Sequence, residues 1–330
     1  MKKTLLIVLS ALLMVACSGS EEKLFRKAKV LADKGNFEKS IQMYSVILKN
    51  NPESYAAYAS RGLLYERLTP KDAQQLKKNR QLAERDYLKA IEIDYSRPEI
   101  FNNLAALYID QGRYVEAMGY LNHALALNPN YFMALLNRGI VFSKQGKLER
   151  ALVDFTKAEA LNKDSALVYL NRGLAQFHGG YYASAVDDYT NLTFLDENNP
   201  RAYLERGRAF VKMGYFQNAM EDFQKAIAVR PDYSLPYYYA AELLFSKGET
   251  DEAIAYAQQA KMLAPNYAPV YDMMGDMLAL TSPVEATQHY LAARRLDPAG
   301  AERYQNKIRM MTTENGRKNA VAGRFLEIGK

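Results

Sequence analysis

The chain has 330 residues, 49% of them hydrophobic, with 43 lysines and arginines, 37 acidic residues and a single cysteine. That length exceeds what one compact core organises but suits stacked units that each contact only their neighbours, and one cysteine excludes an internal disulfide. The basic excess sits in Lys2, Lys3 and residues 301–330 (seven basic, three acidic), so residues 17–300 balance at 34 of each sign and carry no array-wide basic face for nucleic acid.

In chain order, Lys2 and Lys3 precede an apolar run from Leu5 to Val15, and Cys17 follows. The run is about half of the roughly 20 residues a spanning helix needs, so residues 1–16 read as a signal peptide. The segment LMVAC ending at Cys17 resembles the bacterial lipobox, with Met14 where leucine is usual. That resemblance implies that Cys17 is lipidated and begins the mature chain, its acyl chains holding a membrane with about 0.8 kcal/mol per buried methylene. Residues 17–23 then form a tether. Ser18 is compatible with sorting to an outer membrane, and Glu21–Glu22 resembles the surface-export signal of Bacteroidetes lipoproteins. The acidic first turn of a helix accounts for that pair equally well, so the periplasmic and surface faces both stay open.

From residue 21 a 34-residue pattern recurs. LLNRGIVFSKQGKLERALVDFTKAEAL, YLNRGLAQFHGGYYASAVDDYTNLTFL and YLERGRAFVKMGYFQNAMEDFQKAIAV place Gly139, Gly173 and Gly207 in register, then Ala151, Ala185 and Ala219, then Phe155, Tyr189 and Phe223. This period resembles the tetratricopeptide repeat family, which implies an all-α solenoid of antiparallel helix pairs. The repeats fall at 21–54, 55–97, 98–131, 132–165, 166–199, 200–233, 234–267 and 268–300, an array over 21–300. Repeat two carries nine extra residues, expected between its helices because they include Thr69–Pro70. Small residues at positions 8, 20 and 27 let helices approach, and rings at positions 4, 11 and 24 fill the space between them. Residues 301–311 read as an amphipathic capping helix through Tyr304, Ile308 and Met311, and the basic tail to 330 as polar, glycine-broken and mobile.

Comparing the repeats with one another yields a rule. Arg stands at position 7 in repeats two, four, five and six (Arg61, Arg138, Arg172, Arg206), and those four alone carry Asp before the position-24 ring (Asp86, Asp154, Asp188, Asp222). The pairing predicts a bidentate, partly buried Arg–Asp bridge inside each such hairpin. Arginines so committed are poor candidates for an anionic ligand.

The resemblance implies a concave groove lined by first helices. At its edge, Asn103, Asn137 and Asn171 resemble the asparagine ladder that holds a peptide backbone, since an amide offers both donor and acceptor. Leu136, Ile140, Leu170, Leu174 and Leu204 form an apolar strip there, a protein- or peptide-binding surface if uncovered. Polar residues follow at the carboxyl end (Arg208, Glu242, Asp272, Asp276), with Tyr238, Tyr239 and Phe245 as an aromatic platform. His123, His178 and His289 fall at different repeat positions, and no nucleophile, phosphate loop or metal-ligand spacing accompanies them. The reading is therefore a non-enzymatic scaffold, without cofactor or metal, holding a protein or peptide partner at a cell envelope through its lipid anchor. A surface lipoprotein binding glycans or nutrients is the alternative. The sequence does not set an oligomeric state.

Overall fold

The computed structural model describes residues 19–70 and 72–328, with side-chain surroundings for 21–70 and 72–322; Cys17 and the leader lie outside the described residues. The described residues form eighteen helices. The chain divides into two compact units, Met1–Lys163 and Asp164–Lys330.

In the first unit four helical hairpins follow one another: α1 (Gly19–Asp33) with α2 (Phe37–Asn50), α3 (Tyr55–Arg67) with α4 (Ala73–Ile93), α5 (Pro98–Asp110) with α6 (Tyr114–Leu127), and α7 (Phe132–Lys144) with α8 (Leu148–Leu161). The second unit continues with α9 (Ala166–His178) and α10 (Tyr182–Leu195), α11 (Pro200–Lys212) and α12 (Phe216–Val229), α13 (Ser234–Ser246) and α14 (Thr250–Leu263), and α15 (Ala268–Leu278) and α16 (Pro283–Leu296). It closes with α17 (Ala301–Met310) and α18 (Glu314–Ile328). The fold is all-α, a solenoid of helix–turn–helix repeats.

The hairpins close because their contact points are small. Ala83, Ala117, Ala151, Ala185, Ala219, Ala253 and Ala286, all at position 20, are completely buried. Where repeat one has Ser40 there, the hydroxyl donates to the Ala28 carbonyl across the hairpin at 2.7 Å, which removes the cost of burying it. At position 8, a β-carbon on Gly139, Gly173 or Gly207 would come within 2.7 Å of the position-24 ring. Each of those rings is fully buried, worth roughly 1.5–3 kcal/mol from apolar area alone. The turn between helices is made by Gly35, Gly112, Gly146, Gly180, Gly214 and Gly248, all with φ between 71° and 84°, a region that L-residues rarely enter.

Two elements differ from the sequence expectation. The insertion in repeat two is mostly helical: it lengthens α4 to 21 residues, against 14 for the other second helices. Asp72 caps the added turns by accepting from the Gln74 and Gln75 amides at 3.0 and 3.2 Å, and Pro70 stays in the loop before them. The described part of the tail is helical as well. After the turn at Met311, α18 folds back, with Met311 and Ala320 buried against Ala279, Ala286 and Tyr290.

A recess on the inner face of the carboxyl-terminal hairpins

First helices pair with first helices along each unit (α3 with α5 and α5 with α7; α9 with α11, α11 with α13, α13 with α15), and no comparable pairing joins second helices. First helices therefore form the inner face of each unit.

The Arg–Asp pairs are built on the side of the first helix turned to its own partner. Arg61 donates to Asp86 through Nε at 2.7 Å and Nη2 at 2.9 Å, and Arg138 to Asp154 at the same two distances. Arg172 and Arg206 hold Asp188 and Asp222 by the same fork at 2.8–2.9 Å. The four aspartates are no more than 5% exposed. The remaining guanidinium nitrogen reaches the preceding hairpin: Nη1 donates to Ser45 from Arg61, to Asn122 from Arg138, and to Thr190 and Thr193 from Arg206. Ser45, Asn122 and Thr190 share position 25 of their repeats, a register the sequence comparison did not bring out. Arg61, Arg138 and Arg206 thus each tie a hairpin to itself and to its predecessor. Burial works against charge on both partners. It pushes the Asp222 carboxyl up while Arg206 pulls it back, and the hydrogen bonds to Asp222 raise the Arg206 guanidinium despite burial.

The predicted groove residues are largely committed elsewhere. Leu136 and Leu204 are 2% and 1% exposed, Leu204 packing among Ala219, Phe223, Ala240 and Leu243. Leu170 is half-buried against Tyr169, Leu192 and Ala202, and Ile140 and Leu174 are also half-buried. Neighbouring helices thus close off Leu136 and Leu204, while Leu170, Ile140 and Leu174 keep part of their surface open. The asparagines expected to form a peptide ladder bond within the array: Asn137 Nδ2 donates to Asn102 Oδ1 at 2.9 Å, joining consecutive first helices. Asn171 Nδ2 donates to the Leu167 carbonyl of its own helix at 2.7 Å. Asn103 is half-buried, and the buried amide of that hairpin is its neighbour Asn102.

An open recess of about 380 Å³ lies instead on the inner face of α11, α13 and α15, with Phe177 of α9 at one end and Arg303 of α17 at the other. Arg208, Lys212, Tyr238, Tyr239 and Glu242 line it, and Asp272 contributes to its floor. Arg208 is the centrepiece. Its guanidinium lies 4.9 Å from the ring centroids of both Phe177 and Tyr239 and donates to Glu205 at 2.5 Å. Burial disfavours its charge, but Glu205 outweighs that and raises its pKa. Burial pushes the Tyr239 hydroxyl up to about 12, so it remains a donor at neutral pH. Tyr238 donates to Glu242 at 3.1 Å, and no carboxylate among the described residues pairs with Lys212. The recess thus offers both signs of charge beside aromatic surface. Phe245, expected beside these tyrosines, is 4% exposed in the core of the next interface and lies outside the recess.

Asp272 and Asp276, expected to be groove residues, are buried beneath it. Lys307 of α17 inserts its ammonium between them, 2.7 Å from Asp272 Oδ1 and 2.9 Å from both Asp276 oxygens. Tyr290 adds a hydrogen bond to Asp276 at 2.8 Å. The sequence signal was present: two carboxylates one turn apart where repeats two, four and five carry Ala or Leu and Leu or Ile, and a lysine on the apolar face of the cap.

Family models described as "Tetratricopeptide repeat" match residues 25–74, 98–131, 120–153 and 204–268, together just over half of the chain. Among curated proteins, human Protein O-mannosyl-transferase TMTC3 is 33% identical over 117 residues, 35% of this chain and 12% of that protein; the match spans about an eighth of the relative's length. A tetratricopeptide repeat protein from Parabacteroides merdae superposes with a TM-score of 0.60 at 21% identity, covering 78% of this chain and 98% of that one. PilW, described as a widely conserved type IV pilus biogenesis factor, superposes with a TM-score of 0.59 at 21% identity, covering 67% and 98%. At such identities the likeness is one of fold.

Proposed function

The chain belongs to the tetratricopeptide repeat family, and we propose that it is a non-enzymatic scaffold holding a protein or peptide partner at a bacterial envelope membrane. One observation carries this reading: the recess at the inner positions of the last hairpins, where Arg208, Lys212 and Glu242 supply polar contacts and Tyr238 and Tyr239 supply rings. A peptide segment presents amides, carboxylates and apolar groups together, and a lining of this mixture matches it. The glycan alternative needs exposed ring faces. Those of Phe177 and Tyr239 have the Arg208 guanidinium within 4.9 Å, which favours the peptide.

The membrane part of the proposal rests on the amino terminus. The short apolar run ending at Cys17 supports a lipidated anchor, and sorting to an outer membrane is part of the same proposal. An envelope assembly role is in keeping with the description of PilW as a pilus biogenesis factor.

A photo-crosslinking residue placed at Lys212 in the native host tests the partner. Capture of one envelope protein, abolished by Arg208→Ala and by Glu242→Ala, is the expected result. No capture, together with oligosaccharide-induced quenching of tyrosine fluorescence in the purified chain, would transfer the recess to the glycan reading. Cys17→Ser should move the protein from the membrane to the soluble fraction, and retention on the membrane would remove the anchor.

A further inference from the structure

The acceptors of the recess are spent on the protein, and three of its donors are not. Glu242 accepts from Tyr238 at 3.1 Å, and Asp272 is held by the Lys307 ammonium at 2.7 Å and the Arg303 guanidinium at 3.5 Å. Arg208, by contrast, makes one hydrogen bond, from Nη1 to Glu205, so its Nε and Nη2 have no acceptor among the described residues. The arginines of the internal ties use those same two nitrogens to grip an aspartate. The Lys212 ammonium and the Tyr239 hydroxyl likewise have no acceptor among the described residues. Arg208 and Lys212 stand one turn apart on the same face of α11. Of the eight repeats only the sixth has basic residues at both of these positions, 9 and 13. Like charges at that spacing repel, and an anion held between them relieves the repulsion. The Arg208 side chain is 25% exposed, and the rings of Phe177 and Tyr239 beside it keep water off the guanidinium, which strengthens any charge-assisted bond made there.

We propose that Arg208, Lys212 and Tyr239 form a carboxylate-binding subsite, and that the peptide taken by the recess carries an aspartate or glutamate side chain there. The inference rests on the peptide reading above. Charge decides for a carboxylate. Lys212 is the cation of the lining without a carboxylate of its own among the described residues, so a single negative charge is matched there. A doubly charged phosphate brings a second charge up against Glu242 and Asp272 in the same recess. Position decides for a side chain. The donors lie within the recess rather than at its end, flanked by Phe177 of α9 on one side and by Glu242 of α13 and Arg303 of α17 on the other. A peptide therefore runs past them in both directions, which suits an internal acidic residue over a chain terminus.

The test offers the purified full chain pools of synthetic heptapeptides, acetylated and amidated at their ends, with mixed residues around a fixed central Glu, Gln or phosphoserine. A further pool has the central Gln and a free carboxyl terminus. Mass spectrometry counts what each pool leaves on the protein. The Glu pool should be retained at least about tenfold over the Gln pool, the size of a hydrogen bond to a charged group. Lys212→Gln and Arg208→Gln should each cut that ratio at least about fivefold. Arg208→Gln also takes a partner from the buried Glu205; if it unfolds, Lys212→Gln decides, since it leaves no carboxylate of the described residues unpaired. Equal retention of the Glu and Gln pools, or a ratio unchanged in Lys212→Gln, would overturn the proposal and leave the peptide reading standing. So would a stronger preference for phosphoserine or for the free terminus. Retention of no pool overturns it as well, and the peptide reading falls with it only if crosslinking also captures nothing. A crosslinking residue at Lys212 removes one donor and leaves Arg208 and Tyr239 in place, so capture there tests that reading separately.

Discussion

Removing Arg206 alone should be among the most destabilising single changes in the carboxyl-terminal unit. The side chain is 18% exposed, and four hydrogen bonds join it to Asp222, Thr190 and Thr193. In Arg206→Ala the Asp222 carboxylate, 5% exposed, loses its only charged partner among the described residues. Breaking a buried pair from one side costs about 3–5 kcal/mol, and the partial exposure of the arginine places the loss near the lower end. For a unit of 167 residues, about 3 kcal/mol corresponds to a fall in Tm of roughly 6–12 °C. The double variant Arg206→Met/Asp222→Leu removes both charges and keeps volume, and should recover most of that loss, because the cost lies in the orphaned carboxylate rather than in the bond. Circular dichroism melts at low and high salt would read all three proteins. A shift under about 2 °C for Arg206→Ala, or a double variant no more stable than the single, would refute the reasoning.

Three further outcomes follow from the same packing. Gly173→Ala places a β-carbon 2.7 Å from a Tyr189 ring carbon and should cost about 1–3 kcal/mol; adding Tyr189→Leu should restore the urea midpoint, since repeat three combines a buried Ala105 with Leu121 at the same positions, and no restoration would discard the steric account. The Tyr189 hydroxyl is buried without a hydrogen-bond partner, so Tyr189→Phe should stabilise by up to about 1 kcal/mol, whereas Tyr290→Phe loses the bond to Asp276 and should destabilise by about 1.5–3 kcal/mol; equal signs in denaturant titrations would contradict this. Burial and then the Lys261 charge lower the His289 pKa. The unfolded chain therefore binds a proton there before the folded one does. The stability His289 contributes is complete above the ordinary histidine pKa and is lost as pH falls through it toward the folded value. Between pH 7.5 and 5.5 the wild type should lose more Tm than His289→Gln, and parallel losses would exclude the linkage.

What the sequence disclosed depended on having several copies to compare. The turn glycines, the alanines at position 20 and the Arg–Asp rule are properties of one hairpin repeated, and eight hairpins supply their own alignment. The inner face was harder to read, because exposure at position 5 is set by the next first helix and not by the residue itself. Leu204 looked like groove lining but is covered by Ala240 and Leu243 from the following hairpin. Asp272 and Asp276 looked like polar groove residues until Lys307, more than thirty residues later, neutralised them from beneath. The folded-back α18 was hidden for a related reason: a helix with two glycines is specified by its seat more than by its own propensity.

The position of the recess follows from how the first helices use their polar residues. In repeats two, four and five, position 7 carries the arginine of the internal tie, while positions 5 and 9 are apolar: Ala59 and Leu63, Leu136 and Ile140, Leu170 and Leu174. In repeats seven and eight the assignment reverses. Position 7 is Ala240 or Met274, and the polar groups move to Tyr238, Glu242, Asp272 and Asp276 at positions 5 and 9. Repeat six holds both, with Arg206 in the tie and Arg208 at the recess. Positions 5 and 9 share one helix face and position 7 points away from it, so a polar residue at position 7 serves the hairpin's own tie, whereas at positions 5 and 9 Glu242 lines the recess and Asp272 and Asp276 hold Lys307. In repeats seven and eight, where the tie is absent, cohesion passes to larger apolar contacts such as Met273, Met274 and Met277. The same substitution pattern that removes the internal tie therefore places polar groups along the lining of the recess.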